Sequence, residues 1–140
     1  MRIKRLYENA KIPIRTTPSA AGYDLFATTD AVIKPHETVL IGTGWAIEIP
    51  TGYFGAIFAR SGLATKEGLR PANCVGVIDS DYRGEVKVAL HNDSEIVRSI
   101  AAGDRIAQLV LMNCYISSLD VVDELSDTSR GRGGFGSTGQ

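Results

Sequence analysis

Two carboxylates stand two residues apart in Asp79-Ser80-Asp81-Tyr82-Arg83-Gly84, with a tyrosine and an arginine beside them. In an extended segment such a pair shares a face and can hold a water or a cation; in a turn the two acids diverge. By spacing alone, a polar hairpin turn accounts for these residues as well as a catalytic pair does. Arg60-Ser61-Gly62 forms a second cluster, where a strand gives way to a helix. Free amides at a helix start, a guanidinium and a hydroxyl together suit an anion. An ordinary Ser61 N-cap with a solvated arginine explains the same residues. Gln108 interrupts an apolar run, and a buried amide needs partners, either in the core or on a ligand. Residues 126–140 are mostly Ser, Thr, Arg and Gly with one aromatic, Phe135. Arg130 and Arg132 suit anions, glycine amides suit close approach and Phe135 suits ring stacking, although a frayed terminus has the same composition.

Composition narrows what these clusters can serve. The chain has 140 residues, 44% of them hydrophobic, which suits one domain with one core. Lys plus Arg total 15 against 16 Asp plus Glu, which argues against a sequence-independent nucleic-acid binder. No apolar run is long enough to span a membrane, and no secretory signal follows Met1, so a cytoplasmic protein is expected. Cys74 and Cys114 read as two free, buried thiols. His36 and His91 read as turn residues, and with no Cys-x-x-Cys a zinc site lacks ligands. No Walker loop and no zinc-deaminase signature occur. Asn92-Asp93-Ser94 matches a glycosylation sequon by chance.

The elements that must carry the clusters have a period of two. Residues 38–49 alternate Val39, Ile41, Thr43, Trp45, Ile47 and Ile49 against a smaller, more polar face, which predicts a long half-buried strand. Further strands are predicted over 53–58, 85–90 and 104–112, with shorter ones over 2–6, 23–27, 31–34 and 119–122. In 85–90, Val86, Val88 and Leu90 face one side, while Glu85, Lys87 and Ala89 face the other. Turn signals about every ten residues suggest a sandwich, jelly roll or barrel. One short helix is predicted over 61–68, with Gly68 as its stop.

Taken together, the clusters resemble the trimeric dUTP diphosphatase family along nearly the whole chain. The resemblance rests on five ordered motifs. They are Ala21-Gly22-Tyr23-Asp24-Leu25-Phe26-Ala27; Ala59-Arg60-Ser61-Gly62-Leu63-Ala64; Gly76-Val77-Ile78-Asp79-Ser80-Asp81-Tyr82-Arg83-Gly84-Glu85; Gly103-Asp104-Arg105-Ile106-Ala107-Gln108-Leu109-Val110; and Arg130-Gly131-Arg132-Gly133-Gly134-Phe135-Gly136-Ser137-Thr138-Gly139. Ala59 departs from a proline common before the second motif's arginine. The resemblance implies an all-β jelly roll or distorted barrel, assembled as a homotrimer. It implies a barrel domain over 1–125 and a flexible C-terminal arm over 126–140 that closes over a neighbouring site. Three chains would build each site: one giving a base-recognising hairpin, a second the phosphate contacts, a third its arm.

The implied reaction is hydrolysis of dUTP to dUMP and pyrophosphate, which limits uracil incorporation into DNA and supplies dUMP for thymidylate synthesis. By resemblance, Asp79 orients and deprotonates the attacking water. A carboxylate is a weak base at neutral pH, so positioning must supply much of the rate. Tyr82 would pack on the deoxyribose and exclude a 2′-hydroxyl. A hairpin running from Asn73 through Gly76 to Ile78 would read uracil, largely with backbone groups. Arg60, Ser61, Gly62 and Gln108 would bind phosphates, joined by Arg130, Gly136, Ser137 and Thr138 from the arm, with Phe135 over the base. Mg²⁺ would be held mostly by the phosphates, with no direct protein ligand; Asp24 is either structural or an outer-shell partner. Two alternatives stay open: a dCTP deaminase-related enzyme, for which only the outward-alternating Glu85 could be proposed, and a regulatory module binding dUTP and a protein partner, as some phage members do.

Overall fold

A computed structural model describes residues 1–134. Ten strands dominate it: β1 (Arg2–Arg5), β2 (Tyr23–Phe26), β3 (Ala31–Ile33), β4 (Thr38–Glu48), β5 (Tyr53–Phe58), β6 (Leu69–Pro71), β7 (Gly76–Ile78), β8 (Glu85–Asn92), β9 (Arg98–Ile100) and β10 (Arg105–Asn113). They form one sheet of order β1-β4-β8-β6, a second of order β2-β10-β5-β7, and a two-stranded β3-β9 ribbon. Every pairing is antiparallel. The core lies between the sheets, where Ile41, Ile47, Val86, Val88 and Leu90 of the first meet Leu25, Ile57, Ile106 and Leu109 of the second. The architecture is the jelly roll that the resemblance implies, one of the three all-β forms that the alternating pattern and the turn spacing leave open.

The alternation in β4 holds through Thr43 and then fails, because residues 43–47 are all buried. A bulge between Gly42 and Ala46 breaks the register with β8 and turns the strand. Gly44 makes it possible: its φ is +74°, and a Cβ there would come within 2.5 Å of the Ala10 side chain. Buried polar groups are satisfied. Thr43 Oγ1 donates to the Val86 carbonyl at 2.6 Å. Asn92, fully buried, donates to the Ile33 and Ile96 carbonyls at 3.0 and 2.7 Å and accepts from the Ser94 amide. The sequon there is therefore a structural knot, closed to any glycan.

Several expectations need correction. His91 lies within β8, its Nδ1 bonded to Thr38 Oγ1 at 2.8 Å, and only His36 occupies a loop. The two thiols are free, but Cys74 is exposed and Cys114 half-exposed. The predicted strand over 119–122 does not form. The last strand ends at Asn113, and the Cys114 amide bonding to the Gly52 carbonyl at 2.9 Å is the final backbone tie to the body among the described residues. Beyond it, Tyr115, Leu119, Val121 and Leu125 are almost wholly exposed. Despite their β-prone composition they pair with no strand among the described residues.

Candidate active site

The Arg60 cluster gathers on the β2-β10-β5 sheet. Register places Gln108 of β10 opposite both Asp24 of β2 and Phe58 of β5, so one face collects all three. Arg60 follows β5 and turns back over this face. Its Nε donates to Asp24 Oδ1 at 3.0 Å, and Arg105 Nη1 reaches Asp24 Oδ2 at 3.3 Å. The Asp24 carboxylate is 13% exposed and bridges two guanidinium groups. It holds Arg60 in place and leaves a net positive end to the cluster. Gln108 Nε2 donates to the Ala59 carbonyl at 2.9 Å, fixing the approach to Arg60. Arg105 belongs to this cluster although it carried no role in the sequence reading; its place in the fourth motif, three residues before Gln108, was the available signal.

Ser61 and Gly62 begin a single widened helical turn, Leu63–Glu67, rather than a regular helix. Ser61 does not cap it: no side-chain cap bond forms, and Ser61 instead takes the Thr65 hydroxyl on its carbonyl at 2.7 Å. Gly68 ends the turn with φ 69°, as expected. Gly62 has ordinary helical angles, and a Cβ on it would meet nothing within 4 Å. The fold does not require glycine there.

The second cluster lies on another part of the body. Residues 69–78 do not form a self-paired hairpin. The β6 strand joins β8 in one sheet, and β7 joins β5 in the other, so the segment around Asn73 switches sheets. The arrangement leaves β7 at a sheet edge, where one side of its backbone keeps N–H and C=O groups without a strand partner. Such a row can read a planar amide edge. Asn73 Nδ2 lies 3.4 Å from where a Gly76 Cβ would stand, so that side chain covers the same strand.

Asp79 leaves the end of β7 exposed, and a turn follows, closed by the Tyr82 amide on the Asp79 carbonyl at 3.2 Å. Asp79 and Asp81 are thus on a turn and do not act as an extended pair. Arg83 clasps the loop through the Ser80 and Tyr82 carbonyls at 2.7 and 2.9 Å. Asp79 and Tyr82 line a cleft of about 310 Å³ whose other walls include Leu40, Val77, Ile78 and Lys87. Glu85 also reaches this cleft, but its alternation does not turn it outward. Its carboxylate is 9% exposed, accepts the Gly44 amide at 2.9 Å and stands 3.6 Å from Lys87 Nζ. The β4 bulge draws it inward by presenting an unpaired amide.

The two clusters are far apart on one chain. Ile78 pairs with Gly55, so Asp79 falls level with Phe54, while Asp24 lies level with Phe58 and three strands away. Strand spacing and rise put Asp79 and the Asp24–Arg60 pair on the order of 20 Å from each other. The arm is separate again. Arg130 is exposed and its Nε bonds to the Gly133 carbonyl at 3.0 Å within the arm. Phe135, Gly136, Ser137 and Thr138 lie outside the described residues.

Comparison with known proteins gives a consistent result. A family described as dUTPase matches residues 8–139. A deoxyuridine 5'-triphosphate nucleotidohydrolase of Nautilia profundicola is 51% identical over 140 residues, covering 100% of this chain and 99% of that one. A dUTPase variant of Staphylococcus bacteriophage 80alpha with dUpNHpp superposes with a TM-score of 0.91 at 32% identity, covering 99% of this chain and 98% of its own. A dUTPase variant from phage phi11 of S. aureus, described with a coordinated structural Mg(II) ion, gives 0.80 at 30% identity over 88% of this chain and 96% of its own.

Proposed function

The chain belongs to the dUTPase family and hydrolyses dUTP to dUMP and pyrophosphate; on that premise, we propose how its residues divide the reaction. Asp79 orients a water and takes its proton as the water oxygen bonds to the α-phosphorus. The bond from that phosphorus to the bridging oxygen breaks, and pyrophosphate leaves. The exposed carboxylate is unpaired by the arginines of its own chain among the described contacts, which suits a base. Tyr82 packs on the deoxyribose, and the free edge of β7, from Asn73 through Gly76 to Ile78, reads uracil with backbone donors and acceptors.

Arg60, Ser61, Gly62 and Gln108 hold the phosphates, with Asp24 acting on them through Arg60. Asp24 already serves two guanidinium groups, which favours this role over an outer-shell metal contact. Mg²⁺ is carried mostly by the phosphate oxygens, as is common for this ion. When bound there, the ion would neutralise polyphosphate charge. Arg130, Phe135, Gly136, Ser137 and Thr138 close the site from an arm, 126–140, that crosses from a body of residues 1–125.

The observation that carries the arrangement is the strand register, which sets Asp79 and the Arg60 cluster on opposite sides of the sheet, on the order of 20 Å apart. A single triphosphate does not bridge it, so the site is composite: the Asp79 loop of one subunit faces the Arg60 cluster of a second in a homotrimer, and a third subunit lends the arm. The deaminase alternative loses its only candidate, since the Glu85 carboxylate is committed to Gly44 and Lys87. Pyrophosphate release measured on dUTP, UTP, dTTP and dCTP, with and without Mg²⁺, tests the reading. Release from dUTP alone, raised by Mg²⁺, is expected; equal release from UTP would remove the sugar gate.

A further inference from the structure

The loop after Asp79 contains a seat for the Tyr82 ring that depends on two neighbours with no role in the reaction so far. Tyr82 folds back over Gly84, where an added Cβ would stand 2.4 Å from the hydroxyl and 2.6 Å from Cζ. Only a residue without a side chain lets the ring lie there. The hydroxyl then donates to the Glu85 carbonyl at 3.0 Å. That carbonyl belongs to the first residue of β8, level with Ala46 of β4, and the same residue's carboxylate ties this strand start to the Gly44 amide at 2.9 Å, inside the β4 bulge. Gly44 is in turn packed on Ala10 and Thr28. A chain of contacts therefore runs from the buried bulge, through Glu85, to the edge of an exposed ring.

We propose that Gly84 and Glu85 are the positioning residues of the sugar gate, holding the Tyr82 ring at the height that excludes a 2′-hydroxyl. The inference rests on the reading of Tyr82 as that gate. Steric exclusion is sensitive to small displacements of the excluding group, whereas a loosened apolar wall tolerates an added hydroxyl. Gly84→Ala moves the ring at its free, exposed end, so the body keeps its packing. Glu85→Ala removes the acceptor from the Gly44 amide and leaves the strand start that carries the carbonyl held by its backbone pairing alone, so the ring's seat loosens. Glu85→Gln keeps an acceptor oxygen at the same reach and restores the seat.

The test measures kcat and KM for dUTP and UTP in the wild-type trimer, Tyr82→Ala, Gly84→Ala, Glu85→Ala, Glu85→Gln and the double variant Tyr82→Ala with Glu85→Ala, with a thermal melt of each. Gly84→Ala and Glu85→Ala are expected to raise the UTP-to-dUTP ratio of kcat/KM by about tenfold. Gly84→Ala keeps the wild-type melting temperature, and Glu85→Gln keeps the wild-type ratio. In the double variant Glu85→Ala adds nothing to the ratio of Tyr82→Ala, because the ring it positions is gone. A Tyr82→Ala enzyme that still rejects UTP would sink the gate reading itself. A Tyr82→Ala enzyme that accepts UTP, beside Gly84→Ala and Glu85→Ala variants that reject it as the wild type does, would overturn the positioning inference alone.

Discussion

The two halves of the site are built in opposite ways. The Arg60 cluster is knitted before any ligand arrives: Asp24 pins two guanidinium groups, and Gln108 ties the strand end that leads to Arg60. The Asp79 loop is exposed, held by bonds within itself and by one anchor into the body. The contrast suits the chemistry proposed for each half. Phosphate charge is met at low cost by groups already oriented. In the proposed roles, a base and a ring that packs on a sugar need faces left open to the substrate.

If this division is right, damage to the loop should strike turnover and damage to the cluster should strike binding. Asp79→Asn is expected to lower kcat about a thousandfold while a non-hydrolysable dUTP analogue still binds; calorimetry beside steady-state kinetics separates the two. Removal of 126–140 should leave a folded trimer with kcat reduced about a hundredfold, read by light scattering and pyrophosphate release. A monomeric product would show that the arm also holds the assembly. Asp24→Ala should act through Arg60, raising KM for dUTP about tenfold with a smaller change in kcat. An unchanged KM would mean that Arg60 is placed without it. Gly62→Ala should change stability by less than about 0.5 kcal/mol in a chemical melt, since nothing stands near the new methyl. Any loss of activity it causes then reports the approach of a ligand or a neighbouring subunit.

Sequence pattern showed where the long strands lie, because a half-buried sheet imposes a period of two on its residues, and it missed β6, β7 and β9, whose three residues each are too few to show a period. It failed where that period is broken on purpose. Nothing in 38–49 announces that Gly44 takes a left-handed angle, and the bulge that follows buries residues 43–47 together and pulls Glu85 inward. Local pattern also could not place residues 119–122. Their apolar, β-prone side chains stand exposed and pair with no strand among the described residues. The site was legible through its motifs rather than through spacing. The Asp79–Asp81 spacing suggested a pair, and the chain makes a turn there. Arg105 escaped notice because a charged residue at a strand start is usually solvated, and only register with β2 brings it onto Asp24. Sheet switching between β6 and β7 is a long-range property that no local window contains.

The most direct test of the composite site joins two broken subunits. Asp79→Asn and Arg60→Ala chains, each carrying a different tag, are co-expressed, and mixed trimers are isolated by both tags and assayed for pyrophosphate release from dUTP. Either variant alone should be nearly inactive. Each mixed trimer, of either composition, pairs an intact Asp79 loop with an intact Arg60 cluster in one site of its three, so about a third of wild-type activity should return. Mixed trimers as inactive as their parents would contradict the account, because they would place both groups in a site made by one chain.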